Sequence, residues 1–302
     1  MPDARLRIAQ VTPYPWEDEH EVNAFVGSLS AELAGRGHAV SIVAPSRSPE
    51  LVRESRRAIR AAEAVAEPGR VRVLGVGELL PFAQSRRGVA PSPPVDIART
   101  IEELLTGTEF DFVHVHEPFA PSAASVALRH SRALNVGTFH APSERVLSTQ
   151  VARRFVERFF GRLDARTASF AATRDLMTRY FPATYRVVAP GAGTPADMPR
   201  GDGPVRIAFG GGEERAALRL FLRALRRLPE DLDWRATVFA PNGAAPTLRS
   251  ALRRRVELVT DPAPPAGVDV VVAASLGTAP APGNLVRALG AGAGPRPARL
   301  PG

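Results

Sequence analysis

Along the first half of the chain, short apolar runs rich in β-branched residues alternate with longer stretches whose apolar residues recur at helical spacing. Residues 6–12 (LRIAQVT) read as a strand. Residues 22–36 follow as an amphipathic helix, with Val22, Val26, Leu29 and Leu33 on one stripe and Gly35 and Gly37 to end it. Residues 38–45 (HAVSIVAP) form a second strand, 50–66 a charged helix, 70–76 a third strand and 96–105 a further helix. Residues 110–116 (FDFVHVH) carry Phe112, Val113 and Val115 in a run too short for a helix, so they read as a strand. Pro118 stops it, and the small residues of 120–129 read as the next helix. Residues 134–139 form another strand that ends in His140. This alternation implies an α/β fold, a parallel sheet with helices on both faces.

The second half is less regular. Residues 188–204 are rich in Gly, Pro and Ala and read as a link. A strand is expected at 205–209, then the turn Gly210, Gly211, Gly212, then a helix over 213–228. Further strands are expected at 236–240, 256–260 and 268–274. The final GAGAGPRPARLPG shows no apolar periodicity and reads as disordered.

Composition narrows the classes. A length of 302 residues suits two domains, and a hydrophobic fraction of 44% gives them real cores. The absence of cysteine excludes disulfides and thiolate metal sites and suits a reducing compartment. No apolar run reaches the roughly 18 residues of a membrane span. The amino terminus goes straight into a strand flanked by charge and proline, which is not the pattern of a signal peptide. The formal charge is +8 and the chain has no lysine, so the positive charge is all arginine. Those arginines are spread along the chain, and Ala, Gly and Pro are abundant with them, as biased codon usage produces. With no aromatic-interleaved basic patch, a nucleic-acid partner is not expected.

Candidate chemistry sits mainly at strand ends. His114, His116 and Glu117 lie at the carboxyl end of the 110–116 strand, where open parallel sheets bind ligands. The turn after the first strand, residues 13–21, has no G-x-G-x-x-G, so a dinucleotide-dependent redox enzyme is not indicated. Gly210, Gly211 and Gly212, between a strand and a helix, make a phosphate-binding geometry, although Glu213 and Glu214 in the first helical turn oppose an anion. The segment QVARRFVERFFGRL begins at Gln150 and ends at Leu163. It sets Val151, Phe155, Phe159 and Phe160 against Arg153, Arg154, Arg158 and Arg162. This pattern suits peripheral contact with an anionic membrane surface, and equally a core-packing helix with a solvated basic face.

LRIAQVTPYPWEDEHEVNAFVGSLSAELAGRGHAVSIVAPS resembles the opening of glycosyltransferase family 4. FDFVHVHEPFAPS and VGTFHAPS are similar to its next two blocks, closest to the phosphatidylinositol mannosyltransferase-like branch. RLDARTASFAATRDLMTRYFP and YRVVAPGAG resemble the end of the first domain and the crossover into the second. The resemblance implies a GT-B fold of two Rossmann-like domains with parallel sheets, the second incomplete here. The domains would span 1–190 and 205–302, with a linker at 191–204. It implies transfer of a hexose, with retention, from a GDP- or UDP-linked sugar to a lipid or polyol acceptor such as phosphatidylinositol. No cofactor or metal is implied. Tyr14 and Glu17 match acceptor-contacting positions, His116 and Glu117 the block bordering the cleft, and His140 the histidine beside the reacting sugar. A cytoplasmic protein, or one peripheral on the inner face of the cell membrane, is expected.

The chain departs from the family pattern at donor-binding positions and in one acceptor-side block. His20 and Glu21 stand where the family has a Gly-Gly turn, and of the acceptor-side Asn-Gly-Ser block only Ser85 remains, after Ala83 and Gln84. Gly211 and Ala216 replace the family's Arg and Lys, with Arg215 and Arg219 nearby; Ala279 and Arg287 replace two glutamates. Two other readings therefore stand beside an active transferase. One is a catalytically inactive relative that serves as a binding or regulatory partner. The other is a shifted reading frame at the carboxyl end.

Overall fold

The computed structural model describes residues 5–18, 20–78, 95–119, 122–140, 157, 159–191, 203–209, 215–239, 248–259 and 268–272. The chain divides into two compact units, residues 1–189 and 190–302.

The first unit runs β1 (Arg7–Val11), α1 (Glu21–Gly35), β2 (Ala39–Ser46), α2 (Pro49–Arg60), β3 (Val71–Glu78), α3 (Val95–Gly107), β4 (Phe112–His116), α4 (Ala123–His130), β5 (Leu134–Phe139), β6 (Ala165–Ala168), α5 (Ala171–Tyr180) and β7 (Arg186–Val187). The strands form one seven-stranded sheet in the order β3-β2-β1-β4-β5-β6-β7. Every strand pair in it is parallel. Strand order reverses between β1 and β4, so the topological switch point lies there.

Helix starts follow local chemistry. The Ser48 hydroxyl accepts from Leu51 N–H, and Pro49 fills the first turn of α2. Ser122 and Ser125 form a reciprocal capping box on α4. The guanidinium of Arg162 donates to Leu128 O (2.5 Å) and Ser131 O (2.9 Å), satisfying carbonyls at the end of that helix.

Two expectations are corrected. The helix expected over 50–66 ends at Arg60, and Ala62 turns out of it at φ 58°. The residues that follow are drawn over β2 instead. Ala64 and Ala66 are buried, Ser41 Oγ donates to Ala64 O, and Ala66 N–H donates to Ser41 Oγ. In α1 the buried positions are Val22, Asn23, Val26, Ser30 and Ala34, while Leu29 and Leu33 are only half-buried. Small residues at 30 and 34 let the helix lie close on the sheet. β6, α5 and β7 were not anticipated as elements; ARTA has one β-branched residue and no apolar run.

The two faces of the sheet differ. One carries Ala9, Val11, Val43, Leu74, Val113, Val115 and Phe139 into the main core, under α3 and α4. The other packs Ile42 against Val22 and Val26 of α1, then turns polar toward the strand carboxyl ends. Within the segment ending at Leu163, Phe159 is 3% exposed, Leu163 is buried and Phe160 packs against the main core. Those apolar side chains are therefore committed to packing; residues 150–156 and 158 lie outside the described set.

The second unit runs β8 (Val205–Phe209), α6 (Arg215–Leu225), β9 (Trp234–Phe239), α7 (Ser250–Arg253), β10 (Val256–Val259) and β11 (Val270–Val272). Its four-stranded parallel sheet has the order β10-β9-β8-β11. Ile207, Phe209, Phe221, Leu225, Trp234 and Val238 form its core. Gly210, Gly211 and Gly212, Glu213 and Glu214, Ala279 and Arg287, and the tail from 273 onward lie outside the described residues, as do Ala83, Gln84 and Ser85.

Candidate functional site

The site is built from residues of one parity on adjacent strands. Register pairs Gln10 with His114 across β1 and β4, and His116 with Thr138 across β4 and β5. Thr138 in turn pairs with Thr167 on β6. Side chains alternate along a strand, so these residues share one face of the sheet. His140 and Ser169 follow β5 and β6 directly and continue it.

Two rows of hydrogen bonds cross that face. In the first, His114 Nε2 meets Thr138 Oγ1 at 2.6 Å, and Thr138 Oγ1 meets Thr167 Oγ1 at 2.5 Å. In the second, Gln10 Oε1 lies 2.9 Å from His116 Nε2, His116 Nδ1 lies 3.0 Å from His140 Nε2, and His140 Nδ1 lies 2.7 Å from Ser169 Oγ. Gln10, His116 and Ser169 are fully buried, and His140 is 9% exposed. The backbone of His140 is held as well. Its N–H donates to Glu117 Oε1 at 2.8 Å, and its carbonyl accepts from Thr173 Oγ1 at 2.9 Å. Glu117 sits in the left-handed region at φ 49°, a backbone that turns its carboxylate back over the strand end. Phe25 of α1 covers the row, edge-on to His140 with ring centroids 4.9 Å apart.

The histidines are neutral at ordinary pH. Burial pushes His114 down to about 4. Burial, helped by charge on His114 and His20, pushes His140 down to about 3. His116 is lowered well below its usual value by burial and by its two histidine neighbours. Neutral imidazoles can donate on one nitrogen and accept on the other, which is what a continuous row requires. Among the described residues, no group of three or more His, Asp or Glu is placed to hold a metal ion.

The turn between β1 and α1 forms the neighbouring wall. Asn23 organises it: its Oδ1 accepts from Thr12 Oγ1 at 2.7 Å, and its Nδ2 donates to Pro15 O at 2.6 Å. His20 caps α1 by accepting from Val22 N–H and stacks on Tyr14 with centroids 3.5 Å apart. Burial, then the nearby Glu117 carboxylate, push the Tyr14 hydroxyl up to about 12, so it remains a protonated donor. Burial raises Glu17, but hydrogen bonds from Ser46 and the backbone outweigh it and leave its carboxyl below the usual range. Ser46 Oγ donates to Glu17 Oε1 and Arg47 N–H donates to Oε2, which ties the turn to the end of β2.

The structure thus brings His116, Glu117, His140 and Tyr14 together at the switch point and sets Glu17 at the end of β2. Gln10, Ser169 and Thr173 were missed by sequence reasoning. A polar residue inside RIAQV, otherwise the apolar part of a buried strand, was the available signal for Gln10. Ser169 and Thr173 gave none.

Comparison with known proteins matches most of the first unit. Residues 22–194 match the model of Glycosyltransferase Family 4. A phosphatidyl-myo-inositol mannosyltransferase of Propionibacterium freudenreichii subsp. shermanii is 30% identical over 176 residues, 58% of this chain and 43% of that protein. A protein of the same name from Mycolicibacterium smegmatis is 30% identical over 162 residues, 52% of this chain and 38% of that protein. The matched region is therefore less than half the length of these curated relatives. Among solved structures, Anabaena HepE in complex with UDP-glucose gives a TM-score of 0.53 at 10% identity, covering 84% of this chain and 68% of that one. The glycotransferase of kitacinnamycin gives 0.52 at 14% identity, covering 96% and 80%. At such identities these likenesses speak to fold alone, and the fold is GT-B-like.

Proposed function

The chain belongs to glycosyltransferase family 4, and from that premise we propose that it transfers a hexose from a nucleotide-sugar to a lipid or polyol acceptor, with retention at the anomeric carbon. One observation carries the reading: a covered, hydrogen-bonded row at the switch point of a family 4 sheet, which contains a histidine fixed through both its ring and its backbone. Fixed geometry of this kind lowers a barrier by orienting a bound sugar rather than by proton transfer, because the imidazoles do not titrate near neutrality. Tyr14, as a phenol that stays protonated, offers the acceptor a donor. Glu17 contributes by holding the turn that carries Tyr14. The GDP- or UDP-linked donor belongs to the second unit, through the turn Gly210, Gly211, Gly212.

A second reading has its own support. Both ring nitrogens of His140 are taken up inside the protein, and Gly211, Ala216, Ala279 and Arg287 stand at donor positions that carry charged side chains in the family pattern. A relative that keeps the acceptor unit without turnover would look the same.

Calorimetric titration of the full chain with GDP, UDP and their sugars, followed by product assay on phosphatidylinositol vesicles, separates the two. For a transferase, micromolar nucleotide binding is expected. His140→Ala should then lower kcat by about 100-fold while leaving nucleotide affinity unchanged. No heat up to millimolar nucleotide would remove the transferase reading and leave the binding one.

A further inference from the structure

Gln10 begins the second row and Ser169 ends it, and the end of the Gln10 amide that faces His116 is coupled to the direction of every hydrogen bond between them. Suppose the oxygen faces it, as in the structure. His116 then donates from Nε2 to Gln10 Oε1 and accepts on Nδ1. His140 must donate from Nε2 to that Nδ1, and its own Nδ1 accepts from the Ser169 hydroxyl. One buried polar group is left without a partner, Gln10 Nε2. Now suppose the amide is reversed. Each imidazole passes its proton the other way, and His140 Nδ1–H donates to Ser169 Oγ. The hydroxyl proton of Ser169, fully buried, then has no acceptor among the described residues, and the amide oxygen of Gln10 is orphaned in place of its nitrogen. The reversed row leaves two groups unsatisfied where the observed row leaves one. An unsatisfied buried polar group is destabilising, so the observed direction wins.

We infer that Ser169 is a positioning residue: its hydroxyl, which donates to His140 Nδ1, selects the Nε2–H tautomer of His140 and, through it, that of His116, with the Gln10 amide turned to match, so that both ring nitrogens of His140 are committed before a ligand arrives. For its catalytic meaning this rests on the transferase reading above; the tautomer assignment holds without it. Ser169 is 29 residues from His140 in sequence and meets it across β5 and β6. A ligand hydroxyl that reaches the His140 ring meets an acceptor at Nδ1, in competition with Ser169, and no free N–H.

Long-range 15N–1H correlation spectra of the labelled full chain at pH 7 read the tautomers directly. Assignment uses loss of the relevant signals in His116→Gln and His140→Gln. In the wild type, both histidines should show a protonated Nε2 and a bare Nδ1. Ser169→Thr, which keeps the hydroxyl, should keep that pattern, and so should Gln10→Met, because the Ser169 hydroxyl still donates to His140 Nδ1. Ser169→Ala, which removes the donor, should collapse both signals toward averaged tautomers while the thermal transition stays cooperative. A protonated Nδ1 on either histidine in the wild type overturns the proposal, as does an unchanged spectrum in Ser169→Ala. If Ser169→Ala does not fold, the wild-type and Gln10→Met spectra still decide, because a wrong tautomer in either refutes it. Where turnover is present, Ser169→Ala should lower kcat about 10-fold with KM unchanged. An absence of turnover would count against the transferase reading and leave the tautomer result standing.

Discussion

At the scale of single residues, the three neutral histidines make stability depend on pH. His140 and His114 titrate near 3 and 4 in the folded chain, and His116 is lowered in the same direction. In the unfolded chain each returns to about 6.5. Between those values the unfolded state binds more protons, so stability is fully present above about 6.5 and is lost as pH falls toward the folded values. For His114 and His140, going from pH 7 to 5.5 should remove roughly 1 kcal/mol each, with His116 acting in the same direction, before carboxylates begin to titrate. Urea denaturation at the two pH values measures this. Equal or greater stability at pH 5.5 would show that the row is protonated in the fold. His20 carries a different lesson. Its substitution for glycine reads in the sequence as the loss of a phosphate-binding turn. The structure shows what the side chain does instead: it caps α1 and stacks on Tyr14.

At the scale of elements, close approach of helix and sheet is set by residues that have no side chain. A Cβ built on Gly77 of β3 would lie 2.5 Å from Ile97 Cγ1 and 3.3 Å from Ile97 Cα, both on α3. The backbone atom cannot swing away, so α3 would have to shift. Gly77→Ala should therefore destabilise the first unit by about 1–3 kcal/mol, seen as a lower urea midpoint with unchanged slope. An unaffected midpoint would mean that α3 moves freely on the sheet. Element type was legible where the apolar period was long, as in β1, α1, β2, β4 and β5. It failed where tertiary bonds overrode the pattern. Residues 61–66 carry helix-forming alanines, yet Ser41 draws them out of α2. β6 is a strand because β5 offers it a ladder from Val136 to Phe139, not because ARTA prefers one.

At the scale of the whole molecule, the two units have separate cores, and each holds one of the two tryptophans, Trp16 and Trp234. Trp234→Phe leaves a reporter in the first unit, and Trp16→Phe leaves one in the second. Among the described residues the second unit has a four-stranded sheet against seven strands in the first, so it buries less apolar surface. Its reporter should show the lower urea midpoint; coincident midpoints would mean that the units unfold as one. The α/β class and the strand-end cluster His114, His116 and Glu117 follow from local period and turn chemistry, which neighbouring residues set among themselves. So does the family, because its ordered blocks are contiguous stretches of chain. The partners in the row do not follow from these. Gln10, His116, His140 and Ser169 meet because crossover helices place β1 beside β4 and β4 beside β5, and that order depends on how α1, α3 and α4 bury their faces on the sheet. Tautomer, burial and pKa are properties of that meeting. They exist only once strands distant in sequence share one face of a sheet.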